Sequence, residues 1–590
     1  MARVAGAAPA IAIVLAACAS GVSTTSSPSS PARSARPGEV SSNIRFSDYA
    51  GTKACAKCHS DHVASWLRSP MHNMTREAAL ADVRGPFDGT VFRLKDDTAK
   101  LDTEGGARFV TITSKRFGSG KYRVTRVIGG THREDYAGVL VGGDETVERV
   151  LPVTYVFATR SLRYKGYSVM VKERPGLRIG PVWSETCIFC HNTAPHLSTV
   201  LGAIAGPSAG AYQGEVVDPL LPANLRASYV VTDARGLSAA LAEEIARLGG
   251  KNAHPTPREA VSATRTRFRA EHLVEVGIGC ESCHLGSAEH VRDPGTKPSL
   301  EPRSPFFEVK TKSGSRAERV NRACARCHQV LFSGYDPTWE GGSRKRNPGG
   351  SHINSGEARD LMLGACASKL SCVECHEPHA ANATASLRAL DAAGQDALCT
   401  RCHEQYASPD ALRAHSHHDP AREGARCLSC HMPKKNMSLD GDLSRYHRIG
   451  SPTEPERVLL DRPLECALCH ADESVESLAG TMEKWWNKSF ERGALANLYG
   501  SLDANVMRAT AERGKPHEQA VAFFVLGRAR DRAAAPILAS QLTHPYPLVR
   551  GYAKRALDSV AGAPVPIDID ADEAEIEARA KTWLSSVRRD

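Results

Sequence analysis

Eight times in this chain two cysteines stand three positions apart and a histidine follows the second at once. The sets are Cys55, Cys58 and His59; Cys187, Cys190 and His191; Cys280, Cys283 and His284; Cys324, Cys327 and His328; Cys372, Cys375 and His376; Cys399, Cys402 and His403; Cys427, Cys430 and His431; and Cys466, Cys469 and His470. This is the pattern for covalent attachment of c-type haem. The thiols add to the haem vinyl groups as thioethers, and the adjoining imidazole sits under the iron as proximal ligand. One helical turn brings both sulfurs to one face.

Zinc sites and disulfides are the competing uses of paired cysteines, and neither needs a histidine next in line. Histidine makes up 23 of 590 residues, so eight adjacent histidines by chance is on the order of one in 10¹¹. The reading is eight covalently attached haem c groups. Sixteen of the 18 Cys are used; Cys18 and Cys366 are left over. Cys366 reads as a buried or idle thiol.

The elements that must hold these groups follow from spacing. Between 187 and 470, 284 residues carry seven motifs. About 40 residues each cannot build separate polypeptide cores, so the porphyrins must serve as much of the core. An aromatic content of 6% agrees with that. The first gap, 132 residues, holds alternating runs at 90–94, 109–113, 122–127 and 153–157, with Gly and Asp turns between them. They read as a β-rich insertion over about 88–175. Residues 471–590 are rich in Ala, Leu and Arg with helical periodicity. The expected fold class is mainly α with this small insertion. A multihaem core over 49–470 has little regular secondary structure, and an α-helical domain follows. Residues 533–557 resemble a HEAT-type helical pair, which needs neighbours to bury its faces and so is expected to pack on the haem region.

A second axial histidine is needed for each six-coordinate haem, and 15 His remain after the proximal eight. The candidates are His132, His196, His290, His352, His379, His415, His418 and His447. His290, His379 and His196 lie six, three and five residues after a proximal histidine. The far axial position is about 4 Å beyond a proximal nitrogen. Such close neighbours in sequence are therefore expected to serve an adjacent haem, which packs haems into close pairs. His417 belongs to the same cluster as His415 and His418. Met71 and His72 compete near the first motif. His517 and His544 lie in the haem-free tail and, with His254, are not counted as ligands.

Residues 1–17 read as an export signal, with Arg3 ahead of a small apolar run too short to span a membrane. Leu15, Ala16 and Ala17 before Cys18 resemble the bacterial lipobox, which implies lipidation of Cys18; by the same resemblance Ala19 favours the outer membrane. Residues 18–48 are rich in Ser, Thr and Pro and read as a tether of roughly 30 Å reach. The body is expected at the cell envelope, at the periplasmic or outer-membrane face, held by an N-terminal lipid.

The motifs also carry a wider resemblance. Trp66 and Ser69 after the first set, Gly279 before the third with His290 after it, Ser371 before the fifth with His379 after it, and Met432 and Pro433 after the seventh with Arg445 and His447 resemble the multihaem c-type cytochromes that include octahaem nitrogen- and sulfur-oxyanion reductases. The resemblance covers residues 50–470 and implies electron transfer outside the cytoplasm, with redox proteins such as other cytochromes or quinol-linked complexes as partners. It also implies an alternative, a reductase of a small oxyanion at one haem with an open or Lys-bound distal position. The Cys-x-x-Cys-Lys set of ammonia-forming nitrite reductases is absent here. On the sequence, the first haem is the expected exception. A net charge of +9 could suggest nucleic acid, but export argues against it. Each ferric haem brings about −1 through its propionates, which makes the basic excess their counter-charge.

Overall fold

The computed structural model describes residues 38–165, 176–197, 199–200, 228–311, 314–328, 356–382, 396–438 and 441–587. The export signal, Cys18, most of the tether, the end of the insertion and His352 lie outside the described residues. Among the described residues no helix is long and apolar enough to cross a membrane.

The insertion is one antiparallel sheet. Strands β2 (Val91–Leu94), β3 (Asp97–Glu104), β4 (Ala107–Thr113), β5 (Gly120–Ile128), β6 (Arg133–Leu140), β7 (Arg149–Val156) and β8 (Ser161–Tyr164) pair in chain order, and the short β1 (Thr75–Glu77) pairs with the end of β5. β2 and β8 lie against each other, so the sheet nearly closes on itself. Alternate residues fill the interior: Leu94, Ala99, Leu101, Val110, Ile112 and Val153 are buried. Gly105 and Gly106 connect β3 to β4 with φ of 57° and 81°, the backbone that a two-residue hairpin turn demands. The four alternating runs all fall on strands. β3, β6 and β8 add three more; β3 escapes because Asp97, Ala99 and Leu101 alternate inward with small or polar residues that carry no strand signal of their own.

Glu134 of β6 ties the sheet to the first motif's segment. Its buried carboxylate accepts from the amides of Arg84 and Gly85 at 3.0 and 3.1 Å and from the Arg76 guanidinium at 3.2 Å.

The last part of the chain is helical: Val475–Trp486, Arg492–Tyr499, Val506–Arg513, Pro516–Ala529, Ala535–Ser540, Pro547–Ala561 and Glu573–Val587. Its core is continuous with the end of the motif region, since Met437, Leu443, Val458 and Leu464 join Leu478, Met482 and Leu526 in one cluster. A buried charge network spans that seam. Lys435 meets Asp461 at 3.0 Å and Glu465 at 3.7 Å, Arg457 meets Glu465 at 3.1 Å, and Arg462 meets Glu518 at 3.1 Å. The ligand atoms of Asp461, His517 and Glu518 lie within 4.8 Å of one another. Lys435 and Arg462 already balance those carboxylates, so the cluster reads as ion pairs.

Candidate functional site

The eight motifs share one local backbone. In seven of them the histidine amide donates to the carbonyl of the first cysteine at 2.9–3.1 Å, and the remaining motif is the short helix Cys427–His431. That single turn puts two sulfurs and an imidazole on one side of the chain, which is what a thioether-linked ring with an axial nitrogen needs.

The motifs adjoin one another. Cysteine sulfurs adjoin across four pairs: Cys55 with Cys280, Cys190 with Cys327, Cys324 with Cys372, and Cys399 with Cys427. Cys283 lies near Cys324, Cys375 near Cys399, and Cys430 near Cys466. All eight therefore form one connected set, branched at the fourth motif. Polar side chains fix the junctions. Trp66 donates from Nε1 to the Ile278 carbonyl at 2.8 Å, and Thr52 donates to Glu275 at 2.6 Å, joining the first motif to the third. Asn321 donates to the carbonyls of Ala367 and Leu370 and accepts from the Cys372 amide, joining the fourth to the fifth.

Second imidazoles stand opposite five proximal ones. Ring centres are 6.3 Å apart for His59 and His290, for His284 and His379, and for His376 and His447. They are 6.1 Å apart for His431 and His415, and for His470 and His418. Two iron–nitrogen bonds of about 2 Å, with about 1 Å from each nitrogen to its ring centre, require about 6 Å across an iron. These residues fit the group. The close sequence neighbours His290 and His379 each face a different motif from the one they follow. His62 also approaches His379, at 5.2 Å.

Hydrogen bonds orient several of these rings. Nδ1 lies 2.7 Å from the Thr296 carbonyl in His290, 3.0 Å from Arg445 in His447, 2.6 Å from Ser416 in His418 and 2.9 Å from Gly450 in His431. A protonated Nδ1 donating there leaves Nε2 as the metal-facing lone pair. Burial pushes His284 and His376 down to about 4, so both are neutral at pH 7, as a ligand must be. His328 has the Glu357 carboxylate 3.5 Å from its Nδ1, which leaves Nε2 facing the metal position.

The remaining candidates are placed differently. His132 is exposed just before β6. His196 is buried, with its amide donating to the Tyr49 hydroxyl at 3.2 Å. His72 points Nδ1 at the Ile278 carbonyl at 3.3 Å, while His290 occupies the position opposite His59. His403 is exposed, and Cys366 lies near Cys399 and Cys402.

The second motif has surroundings the sequence did not reveal. Burial lowers His191 to about 4, and the next cause is the Lys165 cation from the end of β8. Lys165 pairs with Asp135 of β6, which also meets Arg133 at 3.3 Å and Thr154. Burial opposes ionisation of Asp135, but the two cations outweigh it and hold the carboxyl at about 2. No motif in the sequence announces this cluster; the pairing of β6, β7 and β8 assembles it.

Residues 365–408 match the family described as the doubled CXXCH motif, which takes in the fifth and sixth sets. No curated protein matches the chain. Among solved structures, that of the outer cell wall cytochrome OcwA is similar at 16% identity, over 87% of this chain and all of that one, with a TM-score of 0.35. So loose a superposition carries no argument. The doubled motif, with the repeated local geometry, supports a multihaem c-type cytochrome that transfers electrons on covalently bound haem.

Proposed function

We propose that this protein is an octahaem electron carrier, anchored outside the cytoplasm through a lipid on Cys18. The observation that carries the reading is the set of five imidazole pairs spaced 6.1–6.3 Å apart. The haem would supply reversible one-electron chemistry, and the chain's own residues hold and orient it. His290, His379, His447, His415 and His418 are the second axial ligands of the first, third, fifth, seventh and eighth haems. Bis-histidine ligation fills both axial positions and leaves no place for substrate, which suits transfer over catalysis. The adjoining motifs keep neighbouring haems close enough for electrons to hop. Residues 19–48 serve as the tether, 49–470 as the haem domain and 471–590 as a HEAT-like cap. The partners are other cytochromes or quinol-linked complexes.

Intact-mass measurement with iron analysis tests the count: eight haem groups and eight irons per chain are expected, and six or fewer would refute it. Retention in the detergent phase, lost on Cys18→Ser, tests the anchor.

A second reading is favoured by one observation. Lys165, Arg133 and Asp135 form a cluster whose charge reaches His191, and its two cations outnumber its carboxylate, which suits a small anion. In that reading the second haem, not the first, reduces a nitrogen or sulfur oxyanion with electrons from the other seven. Arg133 and Lys165 would bind the anion. Turnover of nitrite, hydroxylamine or tetrathionate with a reduced dye decides between the two readings; consumption of none of the three excludes the second.

A further inference from the structure

His415 and His418 stand three residues apart, a spacing that puts both side chains on one face of a helix. They nevertheless face two different motifs, His431 and His470. The chain achieves this by ending the helix Pro409–Ser416 at His417, which adopts φ 58° in the left-handed region, with its amide donating to the Arg413 carbonyl. That conformation is unfavourable for a residue other than Gly or Asn. Two tryptophans from the helical tail hold it.

The Trp485 ring stacks on His417 at 4.7 Å and 15°, and meets His418 edge-on at 5.9 Å. Trp486 donates from Nε1 to the His415 carbonyl at 2.9 Å and lies edge-on to Trp485. On its other side His415 stacks on Tyr406 at 4.3 Å. The tryptophans end the helix Val475–Trp486, whose C-cap Asn487 is also left-handed. Glu483 of that helix accepts from the Phe490 amide at 2.7 Å and pairs with Arg492 at 2.8 Å, which fixes the helix end.

We infer that Trp485 and Trp486 are positioning residues for the axial imidazoles His418 and His415, so that the helical tail sets the coordination and potential of the last two haems. The inference rests on the ligand assignment above. Both reach these imidazoles through the 415–418 segment.

The experiment uses the full haem-loaded chain. Electron paramagnetic resonance of the ferric protein and a redox titration compare wild type with Trp485→Leu, Trp486→Phe, and Trp485→Leu combined with His417→Gly. Trp485→Leu should keep its full iron content while one low-spin signal shifts or turns high-spin and one potential moves. Glycine at 417 adopts the turn without a stacked ring, so the double variant should restore the wild-type signal. Trp486→Phe keeps the aromatic packing and removes only the N–H, and should shift a different signal. Unchanged signals and potentials in both single variants would overturn the proposal, as would a Trp485→Leu change that glycine at 417 does not reverse. If Trp485→Leu fails to retain haem, the glycine double variant and Trp486→Phe decide by the same criteria. His418→Ala separates the two levels of inference. If it adds no high-spin iron, the ligand assignment fails; if it does and the tryptophan variants do not, only the positioning role fails.

Discussion

Replacing His447 probes the ligand assignment at a position reached only through tertiary structure. His447 lies 71 positions after its partner His376, yet the rings stand 6.3 Å apart at 19°. The hairpin of Lys434–Met437 and Leu443–Arg445 delivers it. Arg445 anchors that hairpin by donating to the carbonyls of Leu428 and Met432 at 2.9 and 3.1 Å, so the element that packs on the seventh motif supplies the imidazole that stands opposite the fifth. His447→Ala removes one axial ligand from one of eight haems. One iron in eight, about 12%, should convert from low-spin to high-spin ferric, with the haem count unchanged. His447→Met should keep that haem six-coordinate but raise its potential, because methionine favours the reduced form relative to imidazole. Paramagnetic resonance with spin quantitation reads the first effect and a spectroelectrochemical titration the second. His254→Ala, an exposed histidine away from these pairs, serves as control. If both His447 variants retain every wild-type low-spin signal and unchanged potentials, the reasoning from ring separation to ligation is wrong.

Three further predictions concern the scaffold. Lys435 is fully buried between Asp461 and Glu465, so Lys435→Met leaves an uncompensated buried charge and should cost about 3–5 kcal/mol. Hydrogen exchange in the helix Pro516–Ala529 should accelerate by a hundredfold or more where it requires opening of the seam, and unchanged protection would contradict this. Gly277 has φ +84°, and a Cβ there would fall 2.3 Å from the His72 carbonyl oxygen. Gly277→Ala should therefore disturb the junction of the first and third motifs, seen as loss of the His59–His290 low-spin signal, while an unperturbed spectrum would count against that packing. Lys165→Met should change the spin state or potential of a single haem and, if the second reading holds, cut oxyanion turnover at least tenfold without lowering the haem count; equal turnover would remove Lys165 from that reading.

Much of this arrangement can be read from the chain, for reasons that differ by element. The proximal sites are local: two thiols and an imidazole within five residues need only one turn of helix, which recurs at every motif. That His290 and His379 face motifs other than the ones they follow is legible, because bond lengths forbid them their own haem. Their partners are not legible, since pairing depends on side chains such as Trp66, Thr52 and Asn321 that draw distant segments together. Strand β3 escapes notice because its inward residues are Asp97, Ala99 and Leu101, two of which carry no strand propensity. The Lys165–Asp135–Arg133 cluster is equally silent, since three ordinary surface residue types gain meaning only when the pairing of β6, β7 and β8 brings them together. At the first motif the sequence leaves Met71, His72 or an open position; the imidazole that stands opposite His59 is His290, while the charged surroundings belong to the second motif.

The central claim is that one connected set of eight haems carries electrons. A coulometric titration of the purified, haem-loaded protein at an electrode counts them directly. The account predicts eight electrons per chain, taken up and returned reversibly, with no fraction out of electrical contact with the rest. Six or fewer electrons per fully loaded chain, or a subset of haems that reduces only through a separate mediator, would contradict it.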